Sequence, residues 1–391
     1  IVDWSGDMED EDLIEREDMV VTVTSGGYIK RTPLADFRSQ KRGGKGVSGM
    51  QTKEEDVITT LFVANTHTQL LFFTTDGMVY KLKTWRLPQG GRTSKGKAIV
   101  NILPIPPGVS IAAIMPVDRD EKEWDDLQVV FATDHGTVRR NKLSDFTNVK
   151  ANGKIAMKFE GDSEGWKLIN ARIASNDDDV MLVTNAGRAI RFRADDVRVF
   201  NSRASTGVRG IKLSGGNLVV SMSVIRHFDA SSDERAAYLK MRRAMAGIAD
   251  DPATSDEEEG NADMPLPQDR YAEMSAAENL ILTITSGGAG KLSSSHDYPL
   301  RGRGGMGVTA WDKRMQSGDI IASFPVEMDD QIMLATSKGQ SIRVPVDGIS
   351  FRSRSAGGVR VFNTGKNEEV VSVAWIADQG EDEIVEGGGE A

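Results

Sequence analysis

One short pattern recurs six times along the chain, and this repetition restricts the possible folds more than any other feature. In each copy, an apolar run of five to seven residues leads into a turn that contains Thr or Ser and ends in Gly, and a second strand-like run follows. The turn glycines are Gly27, Gly77, Gly136, Gly187, Gly288 and Gly339. Their spacing is about 50 residues, except that one interval holds an insertion of similar length. Such a repeat indicates a supersecondary unit copied along the chain.

Each copy of the repeat has the composition of β-strands. The apolar runs are rich in Val, Ile, Leu, Phe and Thr, which favour strands. The turn glycine supplies the positive φ that a tight hairpin needs. Two more strand-like runs follow each basic loop, for example at residues 98–105 and 110–117. We therefore predict a unit of four strands, made of a hairpin, a loop and two further strands.

The two ends of the repeat array predict that it closes on itself. The chain opens with a hairpin at residues 20–31 and finishes with two strand-like runs at 359–362 and 370–376. Left apart, these ends would expose unpaired strand edges, which favour aggregation. Joining the first hairpin to the last two strands would complete six four-stranded blades. We therefore predict an all-β fold, a closed propeller-like ring of six blades, over residues 19–376.

The net charge of −10 is distributed unevenly along the chain. Residues 1–18, 227–278 and 367–391 each carry a net charge of −8, so the remaining residues carry +14. We interpret residues 1–18 as an acidic N-terminal linker and residues 377–391 as an acidic C-terminal tail. A positively charged body attracts polyanions, and acidic tails commonly compete for such a surface.

The segment 227–278 is an insertion between the fourth and fifth repeats. Its residues 233–248 carry Ala, Leu, Met and Arg at helical spacing, with acidic residues first and basic residues later, which predicts a short helix. Residues 250–269 are acidic and contain Pro and Gly, which predicts disorder. We therefore expect the insertion to be helical at first and disordered afterwards.

Several kinds of catalytic and cofactor site have no support in the residues. The chain has no Cys, which excludes a thiolate nucleophile or zinc site, and its four His residues lack metal-binding spacing. Residues 44–49 satisfy G-x-G-x-x-G and residues 91–97 nearly satisfy the P-loop pattern, but no helix-like run follows either motif. No apolar run of about 18 residues exists, so no membrane association is expected. We predict no catalytic, cofactor-binding or metal-binding residue in this chain.

Basic residues recur in the second hairpin strand and in the loop that follows it. We predict that they line one rim of the ring and bind DNA; they are Lys30, Arg31, Lys81, Lys83, Arg92, Lys95, Lys97, Arg139, Arg140, Lys154, Arg188, Arg191, Arg193, Arg203, Arg209, Arg301, Arg303, Arg343, Arg352 and Arg354. For any single repeat, the better explanation is an ordinary edge strand whose Lys and Arg discourage aggregation. Six copies in phase on a positively charged body favour a nucleic-acid rim. Because exposed aromatic residues for base stacking are not evident, duplex DNA is a better partner than a single strand.

The first of these loops is the densest in positive charge and glycine. It reads Gln40, Lys41, Arg42, Gly43, Gly44, Lys45 and Gly46. We expect glycines in such loops to let backbone N–H groups approach phosphates closely. This loop resembles the gyrase-A box, usually QRRGGKG, and residues 13–34 and 98–108 also resemble the C-terminal domain of gyrase A proteins. Lys41 keeps the charge of the usual Arg but lacks its fork of donors, so we expect modestly weaker binding.

The resemblance covers about residues 13–376 and implies a fold and a function. The fold would be a six-bladed β-pinwheel, in which neighbouring blades exchange strands. The function would be to wrap duplex DNA with fixed handedness around the basic rim and present a segment for strand passage, so that the holoenzyme introduces negative supercoils. The box in residues 40–46 would be needed for wrapping.

The resemblance also implies partners and a location. The partners are duplex DNA, the remainder of the gyrase A chain and the gyrase B chain in an A2B2 complex, in the cytoplasm and associated with the nucleoid. The chain would be part of an ATP-dependent type II topoisomerase, DNA gyrase, whose cleavage tyrosine, Mg²⁺ site and ATPase lie in other segments, so no cofactor is expected here. We also expect the acidic residues 378–391 to compete with DNA for the rim.

Two alternatives remain open at this point. The corresponding C-terminal domain of topoisomerase IV, a decatenase, has a degenerate box, so the nearly complete box at residues 40–46 favours gyrase. A protein-interaction propeller of the WD or kelch type would carry Trp-Asp or Gly-Gly-aromatic signatures, which the repeats lack.

Overall fold

The computed structural model describes residues 10–24, 26–38, 58–91, 94–248 and 260–376. The strands are β1 (Asp18–Thr24), β2 (Tyr28–Pro33), β3 (Ile58–Asn65), β4 (Gln69–Thr74), β5 (Met78–Lys83), β6 (Lys97–Ala98), β7 (Ile111–Val117), β8 (Gln128–Thr133), β9 (Thr137–Lys142), β10 (Lys154–Ile155), β11 (Leu168–Ile173), β12 (Asp178–Thr184), β13 (Arg188–Arg193), β14 (Val208–Arg209), β15 (Val219–Arg226), β16 (Leu280–Thr285), β17 (Ala289–Ser294), β18 (Val308–Thr309), β19 (Ile320–Val326), β20 (Gln331–Thr336), β21 (Ser341–Pro345), β22 (Val359–Arg360) and β23 (Val370–Ile376). The helices are α1 (Leu34–Arg38), α2 (Ser232–Met245) and α3 (Gln268–Ala277). Short 3₁₀ turns follow several of the hairpins, such as Thr84–Arg86 and Ser295–Asp297.

Each blade is an antiparallel sheet centred on one hairpin of the repeat. The hairpins are β1–β2, β4–β5, β8–β9, β12–β13, β16–β17 and β20–β21. On the inner side, the first hairpin strand pairs with a longer strand of the same repeat, which is β3, β7, β11, β15, β19 or β23. On the outer side, the second hairpin strand pairs with a two-residue strand from the next repeat, which is β6, β10, β14, β18 or β22. Neighbouring blades thus exchange strands, and the predicted all-β, six-bladed architecture is confirmed.

The predicted grouping of strands into one repeat is wrong in one respect. Residues 98–105 do not form a strand of their own blade, since only Lys97–Ala98 pairs, with the preceding blade, and a 3₁₀ turn follows. Pro104 and the prolines after it lack the N–H that a ladder needs. Leu103 and Ile105 instead pack into the core between the first two blades.

Ring closure also differs from the prediction. The first hairpin pairs with β3 and β6, while the final runs join two other sheets, β22 the fifth and β23 the sixth. In the described part of the chain, the sixth blade has three strands, in the order β21-β20-β23. Closure comes from packing: β23 lies beside β3, and Met333 of the sixth blade contacts the cluster of Val20 and Leu61 in the first.

Apolar side chains between neighbouring blades form the core, and a cavity lies on the axis. Between the second and third blades, the rings of Phe73, Phe131 and Phe146 pack edge to face with centroids 5.4–5.8 Å apart. The inner strands β3, β11, β15, β19 and β23 surround a central cavity of about 650 Å³. Interdigitated side chains at each interface make the ring a single packed body.

The insertion contains two helices rather than one. The predicted helix is confirmed as α2, whose N-terminus carries a capping box between Ser231 and Glu234. The prediction missed α3, which follows Pro267 and buries Met274 against Tyr238 of α2. The charged residues around α3 obscured it, because its apolar contacts come from a partner helix far away in sequence. Residues 249–259, which include the first half of the segment predicted to be disordered, lie outside the described residues. For residues 260–269 the prediction is wrong, because their structure is described and α3 begins at Gln268. No helix in the described ranges is long and apolar enough to cross a membrane.

Candidate nucleic-acid interface

The basic loops whose structure is described run along the outer edges of the blades. In the first blade, Arg31 forms a parallel bridge with Gln89 of the next repeat. The chain then turns back, and Lys97–Ala98 pairs antiparallel with Tyr28 and Ile29. Parallel bridges join the same parts of three other blades, at Arg140, Arg191 and Leu292. We call the chain between these two pairings a crossing segment. The crossing segments therefore form the perimeter of the ring, as predicted for the loops.

Five of the residues predicted to line the rim and bind DNA are buried instead. They are Lys30, Arg139, Arg140, Arg191 and Arg354. A buried charge is tolerated only where hydrogen bonds replace its water. The hydrogen bonds of these side chains show that they hold the ring together, so we remove them from the set of proposed DNA contacts.

Three buried cations occupy the same position in their hairpins, the third residue after the turn glycine. Lys30 Nζ donates to the carbonyl oxygens of Gly91 and Ser94, at 2.8 and 2.7 Å. Arg139, with no exposed surface, donates to the carbonyls of Arg203 at 2.9 Å, Ser205 at 2.5 Å and Ala156. Lys291, which the sequence analysis did not select, donates to the carbonyls of Ser353, Arg354 and Ala356 at 3.1, 2.5 and 2.6 Å. We call Lys30, Arg139 and Lys291 the latch cations, because each fixes a crossing segment to the preceding blade.

Burial changes the acid–base properties of these groups. It lowers the pKa of Lys30, and it lowers the pKa of Arg139 to about 10, with the nearby charge of Arg203 contributing. Arg139 therefore stays charged at neutral pH and keeps its donors for the crossing segment. Their carbonyl partners compensate for part of the cost of desolvation.

The other buried cations bind acids or polar side chains. Arg191 Nε donates to Asp179 at 2.8 Å, and its Nη1 donates to the Ser295 carbonyl at 2.8 Å. Arg140 Nη1 donates to the side-chain oxygens of Gln128 and Asn176. Arg354 donates to the carbonyls of Asp297 and Thr309, which joins the crossing segments of two blades.

A second set of cations lies at the outer strand pairs, one in each of the five described pairs. Lys97, Lys154, Arg209 and Arg360 lie on the two-residue strands β6, β10, β14 and β22. In the fourth blade the cation is on the hairpin strand instead, where Arg188 is opposite Thr309. We call these five residues the rim cations. Lys97, Arg209 and Arg360 are exposed, and Lys154 and Arg188 are half-buried.

Arg360 was not among the predicted residues, although the sequence contains a signal for it. Residues 205–209 read Ser-Thr-Gly-Val-Arg, and residues 356–360 read Ala-Gly-Gly-Val-Arg. Aligning the crossing segments residue by residue places Arg360 at the position of Arg209.

Arginines also link consecutive crossing segments around the perimeter. Arg203 Nη1 donates to the carbonyl of Ile155 at 2.5 Å, and Arg303 Nη1 donates to the carbonyl of Arg209 at 2.7 Å. Lys95 is exposed, with its ammonium 4.0 Å from the ring centre of Tyr28. The outer strands of the third to fifth repeats are therefore joined into a continuous edge.

The remaining predicted residues divide by their partners. Lys81 pairs with Glu121, Lys83 pairs with Glu11 at 3.0 Å, and Arg193 lies 3.7 Å from Asp195. Arg31 Nε donates to the Leu87 carbonyl at 2.9 Å. Arg301 and Arg352 are half-buried, and Arg343 is exposed. Arg92 and the whole box, Gln40, Lys41, Arg42, Gly43, Gly44, Lys45 and Gly46, lie outside the described residues.

The loop glycines have a steric role. Gly207 and Gly307 precede outer strands and have φ of +93° and +70°. A Cβ at Gly207 would clash with the carbonyl oxygen of Val138, and one at Gly307 would clash with that of Ala189. Close approach of the crossing segment to the preceding blade therefore requires glycine here, independently of any phosphate.

A small positively charged cleft lies beside the β12–β13 turn. Its volume is about 220 Å³, and Arg188, Lys212 and Lys313 line it, with no acidic residue among the lining residues described. Lys212 and Lys313 are exposed and were not predicted. Lys158 occupies the position of Lys212 in the preceding repeat, which is a partial sequence signal, but only the fold brings Lys212 and Lys313 next to Arg188. Among the residues with a described structure, no group of His, Asp and Glu is placed to hold a metal ion.

Comparison with known proteins agrees with the blade count. A family model described as DNA gyrase C-terminal domain, beta-propeller, matches residues 18–65, 68–118, 128–164, 178–226, 279–324 and 330–374, one match for each blade. The DNA gyrase A protein of Granulibacter bethesdensis is 45% identical over 385 residues, covering 95% of this chain and 41% of the relative. That of Haemophilus influenzae is 38% identical over 382 residues, covering 98% and 40%. The chain spans about two fifths of the length of these curated relatives.

Two solved structures share the fold. The C-terminal domain of DNA topoisomerase IV superposes with a TM-score of 0.64 at 22% identity, covering 93% of this chain and 94% of that one. A DNA gyrase A C-terminal domain superposes with a TM-score of 0.61 at 22% identity, covering 92% and 100%. At 22% identity, both comparisons show a shared fold only.

Proposed function

This chain belongs to the family of DNA gyrase C-terminal β-propeller domains, and we propose that it binds duplex DNA along its rim and wraps it around the ring. The observation that carries the proposal is the set of rim cations, which places one positive side chain at each of the five described outer strand pairs. The cations recur once per outer pair, although their position within the pair varies, and such a recurring positive charge on a convex edge suits the phosphates of a bent duplex.

The energetics of bending are compatible with this set of contacts. Smooth bending of duplex DNA costs on the order of 1–6 kcal/mol for 20–30 base pairs. Release of counterions from neutralised phosphates must exceed this cost, which makes binding strongly dependent on salt. The latch cations help because they fix the crossing segments before DNA arrives, so that less conformational entropy is lost on binding.

Duplex DNA fits the rim better than a single strand does. Trp375 is the exposed large aromatic residue in the described part of the chain, and it lines the central cavity instead of the perimeter. A rim without aromatic platforms offers charge but no base stacking. Contacts of this kind follow the backbone and carry little sequence information.

The role of the wrap follows from the family and stays part of the proposal. The domain would act within a gyrase complex of A and B chains, in the cytoplasm at the nucleoid, and would present a DNA segment for strand passage so that negative supercoils are introduced. ATP and Mg²⁺ would act in other parts of that complex. The relatives compared are gyrase A proteins, which favours this role over decatenation by topoisomerase IV.

Ligation of nicked circular DNA in the presence of the chain tests the proposal. We expect a shift in linking number of a single sign, because a fixed wrap traps writhe. The variant K97A/R209A/R360A removes three exposed rim cations and should lose most of the shift. The matched control K122A/K142A/K240A removes three exposed lysines that lie away from the outer strands, and it should keep the shift.

The outcomes of this experiment distinguish wrapping of DNA from unspecific electrostatic binding. No shift with the unaltered chain would contradict wrapping. An equal loss in both triple variants would show that total charge, and not the rim, controls the effect. Circular dichroism and thermal unfolding of each variant establish that the ring is intact.

A further inference from the structure

The cleft beside the β12–β13 turn contains two lysines whose charge is not neutralised. Within the described part of the chain, the ammonium groups of Lys212 and Lys313 form no hydrogen bond and no ion pair, and both side chains are exposed. Arg188 on the cleft wall is anchored instead, because its Nη1 donates to Thr309 Oγ1 at 3.1 Å and its Nε donates to the Met306 carbonyl at 3.3 Å. The cleft therefore combines one fixed guanidinium with two ammonium groups that are available to a ligand.

The preceding repeat has a lysine at the same position, and there an acid neutralises it. Lys158 forms an ion pair with Glu160 at 2.6 Å. Lys212 corresponds to Lys158, since the two residues before each of them donate their N–H groups to the turn glycine of the previous hairpin. Ser214 then takes the place of Glu160 and lines the cleft. The fourth blade thus has a hydroxyl group where the third has a carboxylate.

The acids nearest in sequence to the cleft have other partners. Asp312 precedes Lys313 but binds Arg314 at 3.0 Å, and Asp319 accepts a hydrogen bond from Asn185 at 3.3 Å. Neither is among the lining residues. A volume of about 220 Å³ is below the range of most small-molecule pockets but is sufficient for a single phosphate group. Positive donors without an acid in a space of this size indicate a phosphate ligand.

The position of the cleft connects it to the rim. We call the face of the ring that carries the hairpin turns the turn side, and Thr184 and Arg188 place the cleft at this side of the fourth blade. The backbone N–H of Lys212 donates at 2.8 Å to the carbonyl of Gly305, in the crossing segment on the outer edge of the same blade. Because Arg188 is itself a rim cation, a phosphate in the cleft would belong to a duplex that follows the perimeter.

The opposite side of this part of the ring carries the acidic insertion. The insertion starts at the end of the fourth blade away from the turns, where His227 Nδ1 lies 3.0 Å from Asp179. Its helix α2 reaches the perimeter of the fifth blade, because the Arg242 guanidinium lies 4.2 Å from the ring centre of Phe351, which bridges to the outer hairpin strand. Residues 227–278 carry a net charge of −8. This side therefore repels a polyanion.

We propose that Lys212 and Lys313, beside Arg188, hold one backbone phosphate of the wrapped duplex in the cleft, so that the DNA lies towards the turn side of the perimeter at the fourth blade. The inference rests on the proposed wrapping and adds to it a contact outside the outer strand pairs. Attraction on one side of the blade and repulsion on the other displace the duplex along the ring axis. Such a displacement makes the wrap non-planar, and a non-planar path gives the trapped writhe its sign.

Fluorescence anisotropy with a labelled duplex at several salt concentrations tests the contact. The variant K212A/K313A should bind about eightfold more weakly at 0.1 M salt and should reduce the magnitude of the slope of log affinity against log salt by about 0.9, the value for one phosphate. K212R/K313R keeps both charges and should bind as the unaltered chain does. The matched control K122A/K142A removes two exposed lysines at the ends of the blades away from the turns, and it should change neither quantity.

Inorganic phosphate at constant ionic strength is the second probe, because a free phosphate has the same chemistry as a DNA phosphate. Saturable binding of inorganic phosphate that is lost in K212A/K313A, with unchanged affinity for the duplex, would assign the cleft to a free ligand and overturn the proposal.

Three further results would overturn the proposal. An unchanged slope in K212A/K313A would show that the cleft holds no DNA phosphate, and a reduction of about 1.8 would show two separate contacts in place of one shared phosphate. An equal loss in K122A/K142A would show that total charge is responsible. Wrapping itself is tested by the linking-number shift of the unaltered chain, so a shift that persists while the slope is unchanged refutes the cleft contact alone.

Discussion

Lys and Arg residues have two different roles in this chain: some are buried and hold the crossing segments in place, and others are exposed on the outer strands. Lys30 and Lys97 belong to the same blade, yet Lys30 is buried on two carbonyls and Lys97 is exposed on the outer strand. The difference is one of position: the latch cations are buried beneath the crossing segments, and the exposed rim cations Lys97, Arg209 and Arg360 lie on the outer strands. Arg188 and Lys154 are half-buried and donate to nearby carbonyls, so they combine both roles. Substitutions at these two kinds of residue should therefore have opposite consequences.

The latch cation Arg139 should matter for stability. Arg139→Met removes the donors to Arg203, Ser205 and Ala156 and leaves their carbonyls unsatisfied in a buried site. We expect the free energy of unfolding to fall by about 3 kcal/mol or more. Urea denaturation measures this change.

Arg209→Met is the matched control, because Arg209 is an exposed arginine on the strand that the Arg139 latch supports. It should alter the free energy of unfolding by no more than about 0.5 kcal/mol, while DNA affinity falls. Equal losses of stability in the two variants would refute the division into latch and rim cations.

The crossing segments are the elements that turn separate hairpins into a ring. A two-residue strand has little stability of its own, so its pairing depends on the turn before it and the latch beneath it. The glycines before β14 and β18 allow this pairing, because the backbone there has positive φ and lies against a carbonyl of the preceding blade. Glycine conformation and cation burial therefore support the same contact.

Gly207→Ala tests this arrangement. The added Cβ meets the Val138 carbonyl and strains a φ of +93°, so we expect about 2–3 kcal/mol of destabilisation and faster amide hydrogen exchange in β14. Gly302→Ala is the control, since no atom lies near the added Cβ and the residue does not need positive φ. Comparable destabilisation in both variants would show that glycine replacement is costly anywhere in these loops and would contradict a specific role of Gly207 in the crossing.

The N-terminal 3₁₀ turn Asp10–Leu13 docks on the first two blades through charge. Glu11 lies 3.0 Å from Lys83 Nζ and 3.1 Å from His67 Nδ1, and His67 Nε2 lies 2.8 Å from the Ile14 carbonyl. Burial opposes ionisation of Glu11, but the hydrogen bond and charge of Lys83, together with His67, lower its net pKa. The carboxylate therefore favours the docked state.

The sign of this pKa shift predicts a pH dependence. Because the pKa of Glu11 is lower when the turn is docked, its contribution is complete above about pH 4.5 and is lost as the pH falls through the docked-state value. NMR shifts of Leu13 and Ile14 should show a transition below about pH 4.5 as Glu11 is protonated. Glu11→Gln should remove this transition, and a transition that persists in this variant would point to another group.

At the scale of the whole molecule, charge is segregated between the ring and the acidic segments. Residues 377–391 are acidic and lie outside the described residues. If they compete with DNA for the rim, deleting residues 378–391 should raise DNA affinity most at low salt, where charge interactions are least screened. Fluorescence anisotropy with a labelled duplex measures this change, and unchanged affinity and linking-number shift would contradict competition.

The dependence of DNA affinity on salt gives a second measure of the rim. If each of the five rim cations neutralises one phosphate, they contribute about −4.5 to the slope of log affinity against log salt. The K97A/R209A/R360A variant should reduce the magnitude of the slope by about 2.7, and the lysine control should leave it nearly unchanged. A slope that is the same in all three proteins would place the contacts elsewhere.

The sequence alone determined the number of blades and their hairpins, because these depend on local signals. Turn glycines, alternating apolar runs and loop charges lie within a few residues of one another, and each acts through the nearby backbone. The helix α2 was predictable for the same reason, since its cap and charge pattern are contiguous.

Only the tertiary structure decided which repeat supplies the outer strand of each blade and which cations are buried. Both depend on contacts between residues about 60 positions apart, such as Lys30 with Gly91 and Arg139 with Ser205. A basic side chain on a hairpin strand has the same local sequence whether a neighbouring repeat covers it or not.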